Sequence, residues 1–224
     1  MRKWYQSLKV SGNEAGPPGR VTSIPTVIAA AIWLSAIVAA MAVIISYSKA
    51  PSHSGTPPSH WPDHSRIPRD TSHPTLVMFA HPRCPCTRAS LGELELLMAH
   101  SPGLLGAHVV FIKPAGTAED WAKADLWRKA AAIPGVNTHF DEAGVEARRF
   151  HSETSGQTVL YDRNGQLLFH GGITSSRGHS GDNPGRSAIT AFSRNEIANS
   201  IKTPVFGCSL FEADCQEQGG KCTK

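Results

Sequence analysis

From residue 21 to residue 48 the chain carries no charged side chain, and Val27 to Leu34 runs on to Val43-Ile44-Ile45 almost wholly apolar. At 1.5 Å per residue, roughly 20 such residues cross a hydrocarbon layer, so this stretch predicts a single transmembrane helix. Beyond residue 74 the pattern changes. Thr75 to Ala80 is a short apolar run that predicts a buried strand, and about Thr87 to His100 alternates apolar and polar positions at helical spacing. His108 to Ile112 predicts a second buried strand. Thr117 to Ala132 predicts a helix with Thr117 as N-cap and Glu119 and Asp120 in its first turn, ended by Ile133-Pro134-Gly135. A short segment, Val136 to His139, leads to Asp141-Glu142 and a brief helix reaching Phe150. Thr158 to Asp162 and Gln166 to Phe169 flank Arg163-Asn164-Gly165 as a hairpin. Asp182-Asn183-Pro184 supplies an N-cap and an N1 proline for a last helix to about Asn199.

The resulting order, β-α-β-α-(short β/α)-β-β-α, predicts an α/β domain with a central mixed sheet flanked by helices. The segments are a basic leader (1–20), the membrane helix (21–48), a linker (49–74), the globular domain (75–203) and a C-terminal tail (204–224). The linker is rich in Pro, Ser and His and shows no apolar periodicity, which predicts a semi-extended, solvated tether. Trp61 within it has two open destinations, the lipid interface or the domain.

Charge refines the membrane reading. Arg2, Lys3, Lys9 and Arg20 precede the apolar run against Glu14, and Lys49 alone follows it. By the positive-inside rule the N-terminus is cytoplasmic and everything after Ser48 lies outside, on the periplasmic face of an inner membrane. A cleaved signal peptide is the competing reading. It is disfavoured because the run exceeds the ~7–15 residues of a signal core and because Pro51 follows the small-x-small site Ser48-Lys49-Ala50. The net charge of +4 is not gathered on any helix or loop beyond the leader, so a nucleic-acid partner is not expected.

The chemistry concentrates at Cys84-Pro85-Cys86, where the first strand of the domain gives way to its first helix. A helix N-terminus carries partial positive charge and unpaired N–H groups, which favour thiolate over thiol. In an oxidising compartment these sulfurs are poised for exchange. A purely structural bridge between such near neighbours would close almost no loop and stabilise little. A soft-metal alternative places copper(I) on Cys84 and Cys86 with His81 or His179. The remaining cysteines, Cys208, Cys215 and Cys222, lie in the tail without metal-site spacing. Two of them are expected to form a stapling disulfide, leaving a third to bridge to another chain or to relay electrons to Cys86. Trp121 and Trp127 share one helix at a packing spacing.

Together, the strand–Cys-x-Cys–helix unit, the following β-α, the hairpin and the closing helix resemble the thioredoxin fold, over roughly Thr75 to Thr203. More narrowly, Asp141-x-x-Gly144-x-x-Ala147-x-x-Phe150 followed by Thr158-Val159-Leu160-Tyr161-Asp162-x-x-Gly165 is similar to membrane-tethered TlpA-like thiol–disulfide oxidoreductases. His81 to Arg88, with Gly171-Gly172-Ile173-Thr174 and the Arg177-Gly178-His179 loop, resembles bacterial RedB-like proteins.

The resemblance implies a membrane-tethered oxidoreductase acting on thiol- or disulfide-containing client proteins without a cofactor. Cys84 would attack and Cys86 would resolve, with Arg83, Pro85, Gln157, Thr158, Gly172, Arg177 and His179 forming the substrate groove. The chain departs from the pattern at three points. One residue is missing between the thiols, Gln157 stands where the family has a cis-proline, and Arg83 replaces the usual aromatic residue. A copper-delivery module and an inactive tethered scaffold are the two other expectations.

Overall fold

The computed structural model describes residues 23–118, 120, 123 and 125–211. The chain divides into two compact units, residues 1–44 and 45–224. Helix α1, Ile24–Lys49, starts in the first unit. It has a mean hydropathy of 2.6 and is long and apolar enough to cross a membrane. Its side chains pack against no protein core: Ile24, Ile32, Trp33 and Val38 are each more than 60% exposed, as side chains facing lipid would be.

The second unit is built on five strands. In chain order they and the intervening helices are β1 (Thr75–Ala80), α2 (Pro85–His100), β2 (Gly106–Lys113), α3 (Asp125–Ala131), β3 (Val136–Glu142), α4 (Val145–Arg149), β4 (Thr158–Tyr161), β5 (Leu167–Gly171) and α5 (Pro184–Ser193). The sheet order is β3-β2-β1-β4-β5. β1 pairs parallel with β2, and β2 parallel with β3. β4 pairs antiparallel with both β1 and β5. β1 is central and buried on both faces, which is why it shows a continuous apolar run and no alternation.

One face of the sheet packs Leu76, Met78, Val109 and Phe111 against Leu91, Leu94 and Leu97 of α2 and Ala188 and Ile189 of α5. On the other face Val77, Phe79, Val110 and Val159 meet Phe150, Ile67 and Leu210. The last helix starts as its sequence predicts. The Asn183 side chain accepts the Arg186 N–H at 2.8 Å, and Pro184 follows it. α5 ends at Ser193, short of Asn199.

Four sequence expectations change. The short segment at 136–139 is a full edge strand, paired with β2 from Val136 to Glu142. Asp141 closes this strand and also serves the next helix, accepting the Glu146 and Ala147 N–H groups at 2.9 and 2.8 Å. In the 117–132 segment Ala118 is not helical, Asp120 is, and Asp125–Ala131 forms a helix; Glu119 and Trp121 lie outside the described residues, and Trp127 stacks on Phe140 with 3.9 Å between centroids.

The largest correction concerns residues 49–74, which are not a solvated tether. Ser52 bridges to Val205 and His60 to Gln166. The Tyr161 hydroxyl donates to the Pro58 carbonyl, and Ile67 is 3% exposed. Trp61 packs edge-on against Phe150 and Tyr161, its centroid 5.2 and 5.3 Å from theirs. The domain, and not lipid, is the destination of Trp61. The tail also begins differently from its expected form, because Val205, Phe206 and Leu210 are buried.

Beneath the linker, His108 and His139 face each other across β2 and β3 with ring nitrogens 2.9 Å apart. Burial, and then the neighbouring His139, pull the His108 pKa down from 6.5 to about 4. An unfolded chain takes up this proton near pH 6.5, whereas the folded one resists it until about 4. The neutral ring therefore adds stability that is whole above pH 6.5 and is lost as pH falls toward 4. That stability is expected to be roughly 1–3 kcal/mol, read as the difference in denaturant-unfolding free energy between pH 7 and 4.5. The His108→Asn variant should lose most of this slope.

Candidate active site

Cys84 is the N-cap of α2, with φ −81° and ψ 119°, and Pro85 occupies the first helical position. Its N–H donates to the His81 carbonyl and its carbonyl accepts the Thr87 N–H, both at 3.1 Å. This backbone fixes the Cys84 sulfur at the mouth of the helix, where it is only 1% exposed. Cys86 follows in the first turn of α2, half-buried.

A third sulfur joins them. Cys208 Sγ lies 2.7 Å from Cys84 Sγ. Cys215 and Cys222, the other two cysteines of the expected staple, lie outside the described residues; Cys208 faces the motif.

The path of residues 202–210 explains this placement. The Thr203 N–H donates to the His170 carbonyl at 3.2 Å, and the Thr203 hydroxyl to the Gly172 carbonyl at 2.7 Å. The chain then crosses the end of β5, where Gly171 has φ 143° and a Cβ would come within 2.3 Å of the Thr203 carbonyl oxygen. Ser52 pairs with this segment from the linker side. Its N–H donates to the Val205 carbonyl at 2.8 Å, and its hydroxyl to the Gly207 carbonyl at 2.7 Å. Arg177 donates to the Gly207 carbonyl and to the Ser52 hydroxyl, each at 2.8 Å.

Residues 207–210 run antiparallel to residues 153–155. The Ser155 N–H donates to the Cys208 carbonyl and the Leu210 N–H to the Glu153 carbonyl, both at 2.8 Å, with Thr154 and Ser209 bridged between them. Only glycine fits at 207, because a Cβ there would lie 1.9 Å from the Ser155 carbonyl oxygen. Ser155 ties this strand to the motif. Its hydroxyl accepts the His81 N–H at 2.8 Å and meets the Thr87 hydroxyl at 2.7 Å.

The three sulfurs differ in electrostatic character. For Cys84, burial opposes ionisation, but the hydrogen bonds it receives from the Cys208 thiol and N–H and from Thr87 outweigh burial and bring its pKa below the usual thiol value. For Cys86, burial and the charge of Cys84 raise the pKa, while Arg177 and the Gly178 N–H pull the other way. For Cys208, burial, the bond it gives to Cys84 and the charge of Cys84 push the pKa up to about 12. Of the three sulfurs, Cys84 is the one whose pKa lies below the usual thiol value.

The remaining groove residues have other partners. Arg83 is exposed and Pro85 opens the helix. The Gln157 side chain is fully buried, accepting the Glu153 N–H at 3.1 Å and donating to the Gly55 and His151 carbonyls at 3.4 Å. Its backbone carbonyl accepts the Phe79 N–H at 2.9 Å, so Gln157 braces sheet and linker and does not face an open groove. Thr158 is buried in β4, and Gly172 lies under Pro204. Arg177 and the Gly178 N–H lie near the Cys86 thiol.

His179 is exposed, its Nδ1 2.7 Å from the Arg177 carbonyl, and His81 Nδ1 accepts the Arg83 N–H. Burial, then Arg83, lower the pKa of His81. Among the described residues no group of three or more His, Cys, Asp or Glu side chains is arranged to hold a metal ion. The groove assigned to an external substrate is therefore filled along Gly172, Arg177 and Ser155 by residues 203–210. Ser155 and Ser52 escape the sequence reading, and so does the pairing of Cys208 with Cys84 in place of Cys86. The one signal for them is the apolar run Val205-Phe206 ahead of Gly207-Cys208.

No family model matches this chain, and no curated protein does. Solved structures do. A hypothetical protein from Sinorhizobium meliloti is 18% identical, covering 73% of this chain and 97% of its own, with a TM-score of 0.51. An uncharacterized conserved protein from Geobacillus kaustophilus is 17% identical, covering 72% of this chain and 92% of its own, also at 0.51. An exposed lipoprotein thioredoxin from Streptococcus pneumoniae is 15% identical, covering 56% of this chain and 86% of its own, at 0.41. With its strand order, antiparallel β4–β5 hairpin and cysteine pair at the β1–α2 junction, the domain has a thioredoxin-like fold behind one apolar helix that can span a membrane.

Proposed function

We propose that this chain is a membrane-anchored, extracytoplasmic thiol–disulfide exchange protein acting on cysteine-bearing client proteins. The observation that carries the reading is the Cys84 sulfur at the mouth of α2, with Cys86 one residue further on and the Cys208 sulfur 2.7 Å away. The Cys84 thiolate attacks a client disulfide. A bond forms between Cys84 and one client sulfur, the client S–S bond breaks, and the other client sulfur leaves as a thiolate and takes up a proton. A second thiol of this chain then attacks Cys84, forming an internal disulfide and releasing the second client sulfur. Cys86 is the near neighbour suited to this step, and Arg177 with the Gly178 N–H favours its thiolate as it forms. Run backwards, the same steps oxidise a client dithiol. No cofactor is required. Basic residues before α1, against the single Lys49 at its C-terminal end, support an orientation with the domain outside the cytoplasm.

The test is to mix the reduced full chain in detergent with glutathione disulfide, quench it with acid at short times and map the adduct by mass spectrometry. The first mixed disulfide is expected on Cys84. Adducts that form first on Cys86 or Cys208, or on no cysteine, would overturn the reading.

A further inference from the structure

The sulfur nearest the nucleophile is not its motif partner but one 124 positions away in sequence. It is also held there by an extended segment with an antiparallel bridge to Thr154. Residues 207–210 are fastened by Ser155 and Glu153 on one side and by Ser52 and Arg177 on the other. An extended peptide, paired antiparallel beside the β1–α2 junction with its cysteine against the nucleophile, has the form a bound client would take.

We propose that Cys208 is a third redox thiol of the site, and that residues 207–210 are a tethered substrate mimic whose disulfide with Cys84 closes the site between clients. This rests on the exchange reading above and changes which thiol resolves. When Cys84 carries a client sulfur, Cys208 attacks the Cys84 sulfur. The Cys84–Cys208 bond forms, the bond to the client breaks, and the client leaves as a thiolate that takes the proton Cys208 gives up. When Cys84 and Cys86 are already joined, the same attack exchanges one internal disulfide for another. Cys86 then leaves as the thiolate, and no outside oxidant enters.

Ring size favours Cys208 over Cys86. A bridge across one intervening residue departs from relaxed disulfide geometry, whereas one joining separate strands faces no such constraint. The mimic also narrows the client class. A client takes the same strand position once residues 207–210 lift away, so the residue before its cysteine must be glycine or nearly as small, since a Cβ there meets the Ser155 carbonyl.

Two measurements on the full chain in detergent decide the matter. The first equilibrates it in glutathione buffers of graded potential, alkylates the free thiols and maps the disulfides. Cys84 joined to Cys208, with Cys86 alkylated, is the expected main internal species; Cys84 joined to Cys86, with Cys208 alkylated throughout, would overturn the proposal. The second follows decay of the Cys84–glutathione adduct in Cys208→Ser and Cys86→Ser. Decay at least tenfold slower in Cys208→Ser than in the wild type is expected. Wild-type decay in Cys208→Ser with trapping in Cys86→Ser would sink the role of Cys208 and leave the exchange reading standing. No adduct on Cys84 in any variant would remove both.

Discussion

Cys84→Ser is expected to cut thiol–disulfide exchange by the full chain at least about a thousandfold, to the level of an unrelated protein. A serine hydroxyl neither ionises near neutral pH nor forms a sulfur–sulfur bond, so neither Cys86 nor Cys208 can replace it. Cys86 is held as a thiol by burial, and Cys208 lies on the 207–210 segment and not at the mouth of α2. The fold should survive. The Cys84 side chain makes no capping bond to the helix, whereas serine is among the preferred N-cap residues. Thermal unfolding should therefore stay within a few degrees of the wild type by the scale of a cap substitution, about 1 kcal/mol. Measuring exchange and melting on one sample separates a lost nucleophile from a lost fold. Exchange within tenfold of the wild type would show that the chemistry lies elsewhere.

Glu93→Ala is the substitution expected to cost the most stability, about 3–5 kcal/mol, because it removes one partner from a buried ion pair. The Glu93 side chain is fully buried within α2 and is ion-paired to Arg186. It also accepts the Gly181 N–H at 2.7 Å and the Asn183 amide at 3.1 Å. Without it, the Arg186 guanidinium, 20% exposed, keeps only the exposed Asp182 carboxylate at 3.0 Å, and the Gly181 N–H and Asn183 amide each lose an acceptor. A fall in Tm on the order of 10 °C should follow for a domain of this size. Glu93→Gln keeps an acceptor oxygen and should lose less. A second readout ties this anchor to the site, since Glu93 fastens the loop that carries Arg177 and Gly178. Alkylation of Cys86 should change in Glu93→Ala before the domain unfolds.

What the sequence makes legible is what local pattern can carry. The apolar run of β1, the helical period of α2, the Asn183-Pro184 helix start and the thiols between strand and helix each leave a signature within a few residues. The position of Cys208 does not. It depends on Ser52 meeting Gly207, 155 positions away, and on Ser155 meeting a segment outside the expected domain. The linker is hidden for a related reason. Its apolar anchors, Trp61 and Ile67, stand singly among Pro, Ser and His, so no period reveals that each fills a place in the core. β3 is under-read because an edge strand is half-exposed and mixes Thr and His with its apolar residues.

The seating of the proline-rich segment moves the natural starting point of the independently stable body. Cutting just before Thr75 would leave Phe150 and Tyr161 facing water where Trp61 packs, and would strip the Gly207 strand of its Ser52 clasp. A soluble fragment meant to keep all three sulfurs in register should therefore start near Ala50.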